Sequence, residues 1–149
     1  MARLLLQPIS KPDQNKLEEA YEVAADLATK YSGKHIRVPK FFQYDGASVP
    51  PGCWQMIGTP FQPRFMTAAV FHDWVYHTHQ LKMDAANEMF CRLLVANGVN
   101  KIKAEMMYAA VEGFGDWYWE NDADDRAYLK RLAGRIRMDG RDPAEYGMS

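Results

Sequence analysis

Three of the four histidines of this chain lie in one stretch, AAVFHDWVYHTHQLKMDAANEMF at positions 68–90, which also carries neighbouring carboxylates and a tyrosine. On a helix, His72 and Tyr76 share one face because they are four residues apart, and Asp73 is rotated from His72 by about 100°. A histidine with one ring nitrogen held by a carboxylate such as Asp84 can take a proton from water with the other nitrogen. An adjacent carboxylate can bind a divalent cation that polarises a carbonyl. These four residues therefore indicate a hydrolytic centre.

Each of these residues also has a structural interpretation. Asp84 precedes an apolar helix and is suited to cap it, a role that is compatible with pairing to His72. His72 is also suited to be a core histidine that bonds to a backbone carbonyl. Asp45 stands before a glycine, as turn residues do, and a triad of Ser48, His72 and Asp84 lacks the sequence pattern of a nucleophile elbow. The residues alone leave the catalytic and the structural interpretations open.

Metal coordination by histidines is a further alternative. His77 and His79 follow the His72–Asp73 pair, and His35 lies upstream in a segment that alternates as a strand does. With Asp116 downstream, the order of these residues is similar to that of metal phosphohydrolases, but that family takes all its ligands from helices. The exposed end of a helix is the simpler position for His77 and His79.

The elements that must position these residues are mostly helices, because apolar residues recur at spacings of three and four from Pro63 onward. Four helices are predicted. The first begins at Pro63, the second runs from Asp84 to Asn97, the third begins at Asn100, and the fourth covers about 123–138. Gly98 is predicted to close the second helix, and Asn100 is predicted to cap the third.

The N-terminal part of the chain has a different pattern. Residues 3–7 are predicted to form a short strand, and an amphipathic helix is predicted from Asp13, as its cap, to Gly33, which would close it. A short strand pair is then predicted from His35–Val38 and FFQY at 41–44, and an ordered loop follows up to residue 63.

The length of the chain and the pattern of its predicted elements indicate one globular α+β domain over residues 1–149, mainly helical, with a small antiparallel sheet. The chain is 48% hydrophobic and 25% charged, with a net charge of −1, which gives no general reason to bind nucleic acid. Two cysteines make no disulfide framework and indicate a reducing compartment, and we expect neither a signal peptide nor a transmembrane segment. We therefore expect the protein in the cytoplasm. Its predicted parts are 1–33, 34–63, 64–138, and a tail, 139–149, that forms a surface strap or is partly loose.

The motif H-D-x-x-Y followed by D-A-A-x-x-x-F resembles the core of the phospholipase A2 superfamily. That resemblance implies His72 as general base, Asp73 as a calcium ligand, Asp84 as the carboxylate behind the histidine and Tyr76 as its hydrogen-bond partner. The disulfides and the glycine-rich calcium loop of that superfamily are absent, and the nearest candidate for the loop is YDGAS, which contains Asp45. Calcium is the implied cofactor, with Asp73 and Asp45 as its ligands, and zinc is less favoured.

A longer resemblance covers about 36–115, roughly half the chain. The segments IRVPKFFQYDGASVPPGCW, AAVFHDWVYHT and KMDAANEMFCRLLVANGV are similar to an uncharacterised family of phage and bacterial proteins. This resemblance implies phage or prophage origin, and it implies that Asp45 and Ser48 face the same site as His72.

Two functions from different classes are consistent with these residues. The first is a small hydrolase with a His–Asp centre that acts on an ester or amide of a lipid or of the cell envelope. The second is a phage accessory or virion protein, located in the host cytoplasm or incorporated into the virion. In that protein His72, Asp84 and Tyr76 brace the fold while the surface binds other phage proteins. A closed and buried polar network would favour the second function, and an open cleft lined by Asp73 and Asp45 would favour the first.

Overall fold

The computed structural model of the chain describes residues 6–8, 21–44, 63–120 and 123–148. The fold is α+β and mainly helical, as predicted. Its strands are β1 (Leu6–Pro8), β2 (Tyr21–Val23), β3 (Leu27–Tyr31), β4 (Lys34–Val38) and β5 (Gln43–Tyr44). Its helices are α1 (Pro63–Thr78), α2 (Met83–Ala96), α3 (Lys101–Trp119) and α4 (Ala123–Met138), followed by a 3-10 turn at Pro143–Tyr146.

Contacts within the chain separate two compact units. One, the strand unit, contains the five strands, α4 and the C-terminal 3-10 turn, and the other, the helical unit, contains α1, α2 and α3. The single domain over residues 1–149 stays a prediction.

The strand unit contains two antiparallel sheets. In the first, β2 lies between β1 and β5, with Leu6 opposite Val23 and Glu22 opposite Gln43. In the second, β3 and β4 form a hairpin that pairs Leu27 with Val38. The predicted strand at His35–Val38 is confirmed, but the expectation that it pairs with 41–44 was wrong, because β4 pairs with β3 and β5 pairs with β2.

The predicted helix from Asp13 to Gly33 was wrong over residues 21–31, which form β2 and β3, while its first part lies outside the described residues. Ser32 and Gly33 both have positive φ angles, 47° and 79°, as the two central residues of a tight hairpin turn require. Gly33 therefore turns the β3–β4 hairpin instead of closing a helix. The sequence signal was ambiguous because glycine favours both positions.

The C-terminal tail is fixed to the strand unit. Asp142 caps the 3-10 turn by accepting a hydrogen bond from the backbone N–H of Ala144 at 3.0 Å, and the side chain of Tyr146 is fully buried. Tyr146 donates its hydroxyl to Asp26 at 2.6 Å. The tail is therefore packed against the unit, where the sequence predicted a surface strap or a partly loose segment.

The helical unit is built by α2, which packs on both α1 and α3. Residues 67–76 of α1 are all buried, so this helix lacks an exposed face over most of its length. The cap at Asn100 is confirmed, since its side-chain oxygen accepts a hydrogen bond from the N–H of Ile102 at 2.8 Å. Among the described residues, none of the helices has the length and apolar character that crossing a membrane requires.

Candidate functional site

The histidine of the HDxxY motif lies at the centre of the helical unit. His72 is on α1 with none of its surface exposed, and its ring packs against Tyr76 and Phe90 with centroid separations of 4.3 and 4.7 Å. Its Nε2 atom lies 2.7 Å from Oδ1 of Asn87 on α2. The ring is thus surrounded by aromatic side chains and bonded to a neutral carboxamide.

The same oxygen of Asn87 receives a second hydrogen bond. The Tyr76 hydroxyl donates to Oδ1 at 2.7 Å, and the Asn87 Nδ2 group donates to Oε1 of Glu112 on α3 at 3.2 Å. Asn87 is fully buried, whereas Glu112 is half-buried. The network therefore joins all three helices of the unit through one side chain on the middle helix.

Local structure explains why these residues meet. His72 and Tyr76 are one turn apart on α1 and so present their polar atoms on the same face. Asn87 lies on the apolar face of α2, among Ala86, Met89 and Phe90, and that face packs on α1. A buried polar side chain on an apolar face must find partners, and Asn87 finds them on both neighbouring helices.

Asp84 does not hold the position that the sequence predicted for it. It is exposed in the first turn of α2, and its Oδ1 accepts a hydrogen bond from the backbone N–H of Ala85 at 2.8 Å. Its predicted pairing with His72 and Tyr76 was wrong, because Asn87 occupies the place next to both. The predicted cap at Asp84 was also wrong, since Lys82 is the N-cap residue and makes no side-chain capping bond.

Asp73 follows His72 on α1 and is also buried. Its backbone carbonyl accepts a hydrogen bond from Nδ1 of His77 at 2.8 Å. The other predicted metal ligand, Asp45, and the predicted loop residue Ser48 lie outside the described residues. Across the part of the chain that the structure describes, no group of three or more His, Cys, Asp or Glu side chains is placed to hold a metal ion. Calcium and zinc binding remain predictions.

The remaining histidines have separate environments. The ring of His79 is exposed, stacks on Trp119 at a centroid separation of 4.1 Å, and donates from Nε2 to the Trp119 carbonyl at 2.6 Å. His35 lies on β4 and is exposed, as expected for a strand residue facing solvent. The side chain of Asp116 lies outside those that the structure describes.

Burial determines the protonation of His72. Removing the ring from water lowers its pKa from 6.5 to about 4, and the hydrogen bond to Asn87 opposes that shift without offsetting it. His72 is therefore neutral at physiological pH. A neutral imidazole can donate one hydrogen bond, to Asn87, and it retains one basic ring nitrogen.

Asn87 and Glu112 are the site residues that the sequence did not reveal. The available signal for Asn87 was a polar residue at a position where the helical period of α2 demands an apolar one. Glu112 carried no comparable signal, because a half-buried glutamate on a surface helix is common.

Comparison with known proteins identifies the family of this chain. The family described as "Protein of unknown function (DUF1353)" matches residues 21–111, which include β2, α1, α2 and most of α3. The chain belongs to the DUF1353 family. The predicted membership of an uncharacterised family is therefore confirmed, while phage origin and similarity to phospholipase A2 stay predictions.

Two relatives of this DUF1353 protein come from Sinorhizobium fredii (strain NBRC 101917 / NGR234). "Uncharacterized protein y4iH" is 33% identical over 101 residues, which cover 67% of this chain and 41% of the relative. "Uncharacterized protein y4jT" is 38% identical over 102 residues, which cover 67% of this chain and 30% of the relative. The matched part thus spans less than half of each relative. No solved structure matches the chain.

Proposed function

We propose that this DUF1353 protein is a non-catalytic module in which the network of His72, Tyr76, Asn87 and Glu112 braces three helices while the surface binds another protein. The observation that carries the proposal is that His72 has no exposed surface and is bonded to Asn87. A general base must lie within hydrogen-bond reach of the proton that it removes. A ring enclosed by the side chains of α1 and α2 is better suited to support the core.

The energetics of the network are consistent with a brace. Buried polar groups stabilise a fold when they are satisfied by good hydrogen bonds, and they restrict it to one arrangement of its helices. Both donors reach Asn87 Oδ1 at 2.7 Å, a favourable distance. Because the hydrogen bonds of Asn87 link α2 to both α1 and α3, their loss affects the packing of the whole unit.

Surface composition supports a role in binding. On α3, Ile102 and Met106 are 69% and 51% exposed, and Val95 at the end of α2 is 43% exposed. Ile102 and Met106 are four residues apart and share one face of α3, and exposed apolar side chains that lie together often mark protein contacts. The relatives also support this role, since a matched segment that fills less than half of a longer protein is typical of a module that works with other domains.

A hydrolase is the second candidate, and one observation favours it. His72 and Tyr76 converge on a single oxygen, as the resemblance to phospholipase A2 implies, with Asn87 in place of the expected carboxylate. Such an arrangement would hold the ring so that its other nitrogen is the base. The substrate class of this candidate remains an ester or amide of a lipid or the cell envelope.

Hydrolysis and stability measured on the same variants distinguish the two candidates. Wild type, His72→Gln and the matched control His35→Gln, which changes an exposed histidine, are tested on phospholipid vesicles and cell-wall fragments with calcium, zinc or chelator. If the network is a structural brace, none of the three proteins hydrolyses these substrates. Only His72→Gln then has a lower unfolding free energy than wild type. Turnover that disappears in folded His72→Gln but persists in His35→Gln would overturn the brace and establish the hydrolase.

Binding is tested by cross-linking in cells that express the wild-type protein. We expect specific cross-linked partners whose yield falls in the double variant Ile102→Asp/Met106→Asp and is retained in Lys103→Asp, which changes an exposed lysine of the same helix. Equal yields from the two variants would exclude this surface as the contact.

A further inference from the structure

We infer that Glu112 fixes the orientation of the Asn87 carboxamide and, through it, places the ring proton of His72 on Nε2. Glu112 is bonded to Asn87, which in turn bonds His72 and Tyr76, so its effect on the ring passes through Asn87. It is a positioning residue for the network, and the inference holds whether the network braces the fold or supports catalysis.

A carboxamide can present either its oxygen or its NH₂ group to a neighbour, and its partners decide which. As a carboxylate, Glu112 offers only acceptors, and its Oε1 lies 3.2 Å from Asn87 Nδ2. The reversed amide would place two oxygens against each other at this distance. Glu112 therefore directs the amide oxygen toward α1.

The Asn87 oxygen accepts hydrogen bonds and cannot donate, so both groups that lie 2.7 Å from it must be donors. Tyr76 donates its hydroxyl proton. A neutral histidine carries one ring proton, and in His72 that proton must be on Nε2. The ring nitrogen that carries no proton is consequently Nδ1.

Glu112 also acts through its charge. Burial and the nearby Glu112 carboxylate raise the pKa of the Tyr108 hydroxyl, one turn earlier on α3. A negative charge next to Nδ2 also polarises the amide and makes Oδ1 a stronger acceptor. The charge on α3 thus acts on the proton of a ring on α1 through one intervening side chain.

Nitrogen NMR of the histidine ring tests this inference directly. In ¹⁵N-histidine-labelled wild-type protein at neutral pH, long-range proton–nitrogen spectra should show His72 as the Nε2–H tautomer, with the His72 signals assigned by their absence in His72→Gln. In Glu112→Gln the new amide can offer either an acceptor or a donor, so Asn87 loses its fixed orientation. We expect the Nε2–H signal of His72 to lose intensity and the Nδ1–H tautomer to appear. Glu105→Gln, an exposed change on the same helix, should leave the spectrum unchanged.

Rescue separates positioning from a merely structural role. An aspartate at position 87 offers acceptors on both oxygens and needs no orienting partner. Asn87→Asp combined with Glu112→Gln should therefore restore the proton on Nε2, and the tautomer is read at a pH high enough to keep the ring neutral. An Nδ1–H tautomer in wild type, or an unchanged tautomer in Glu112→Gln, would overturn the inference. The wild-type spectrum tests the inference even if Glu112→Gln fails to fold. The stability test of the structural brace is a separate measurement, and its outcome does not depend on which tautomer is found.

Discussion

His72 and Asn87, fifteen residues apart on adjacent helices, meet with Nε2 2.7 Å from Oδ1 inside the helical unit. The contact replaces the histidine–carboxylate pair that the sequence suggested. A carboxylate would stabilise an imidazolium ion, whereas burial lowers the pKa of His72 and the hydrogen bond to the neutral carboxamide raises it too little to offset burial. Because the observed partner of His72 is the amide of Asn87 and not the predicted acid Asp84, the contact is better suited to support the fold than to transfer protons.

The shared oxygen of Asn87 makes the contributions of its partners interdependent. We expect Tyr76→Phe to lower the unfolding free energy by about 1 kcal/mol, since it removes one hydrogen bond while Asn87 keeps His72 as a donor. Asn87→Leu should cost about 3 kcal/mol or more, because His72, Tyr76 and Glu112 lose the same buried partner together. Urea unfolding of both single variants and the double variant measures this. Simple additivity of the two changes would contradict a shared network.

Stability should depend on pH through His72. Its pKa is about 4 in the folded protein and near 6.5 in the unfolded chain, so the unfolded state binds more protons between these values. The part of the unfolding free energy that depends on neutral His72 is therefore complete above pH 6.5. It decreases by about 3 kcal/mol as the pH falls toward 4.

Carboxylates also titrate in the lower part of that window, so the measurement is a difference. Unfolding free energies of wild type and His72→Gln are compared from pH 4 to pH 7.5. The gap between the two proteins should widen as the pH rises. A constant gap would mean that the ring is not shielded from protons in the folded state.

The helices could be predicted from the sequence because their signals are local. Capping by Asn100 and the glycine after α2 both lie within one turn of the element that they delimit, and both predictions agree with the structure. The strands β2 and β3 could not be distinguished from a helix in the same way. Tyr21 of β2 pairs with Tyr44, 23 positions away, and an alanine-rich segment ending in glycine satisfies a helical pattern equally well.

The candidate site was found only in part, for a geometric reason. Asp84 and Asn87 are three residues apart on α2, so a prediction based on spacing admits both. Chemistry favoured the acid, but helix α2 begins at Met83, which leaves Asp84 in the exposed first turn and brings Asn87 against α1. The start of α2 was predicted to within one residue, so the part of α2 that packs on α1, which depends on tertiary contacts, decided which residue reached His72.

In the strand unit, Asp26 connects the C-terminal tail to the hairpin. It accepts hydrogen bonds from the Lys40 backbone N–H at 2.9 Å, from Arg37 at 3.2 Å, from the Tyr146 hydroxyl at 2.6 Å and from Arg141. Burial alone would raise the pKa of Asp26, but the bonds from Arg141, Tyr146 and Lys40 outweigh burial and hold that pKa below 3.8. The ionised form therefore contributes stability above pH 4 that is lost as the pH falls through the lowered pKa.

Asp26→Asn should release the tail. It removes the negative charge that the guanidinium groups of Arg37 and Arg141 contact. We expect the unfolding free energy to fall by about 2 kcal/mol, which is typical of hydrogen bonds to a charged group. Limited proteolysis should then cleave within 139–148 faster than in wild type. Glu145→Gln is the matched control, because its pair with Arg37 is exposed and longer, at 3.4 Å, and should contribute little. Equal cleavage of the two variants would show that Asp26 does not hold the tail.

Phe41 occupies a backbone position that glycine would prefer. Its φ angle is 83°. Phe41 and Phe42 both lie opposite Val23. The Phe41 N–H donates to the Val23 carbonyl at 2.8 Å, and the Val23 N–H donates to the Phe42 carbonyl at 2.9 Å. Two residues facing one form a β-bulge, whose first position favours glycine in the left-handed region. The Arg135 guanidinium lies 4.1 Å from the centre of the Phe41 ring.

Comparing Phe41→Gly with Phe41→Ala isolates that backbone strain, because both variants lose the ring and its contact with Arg135. The left-handed conformation costs a residue with a Cβ atom about 1–2 kcal/mol. We therefore expect Phe41→Gly to be more stable than Phe41→Ala by about that amount, which reverses the usual order of the two residues. Ala28→Gly on β3, where φ is negative, is the control and should destabilise by about 0.5–1 kcal/mol. If alanine proved the more stable residue at position 41, the bulge would not have the strained geometry described.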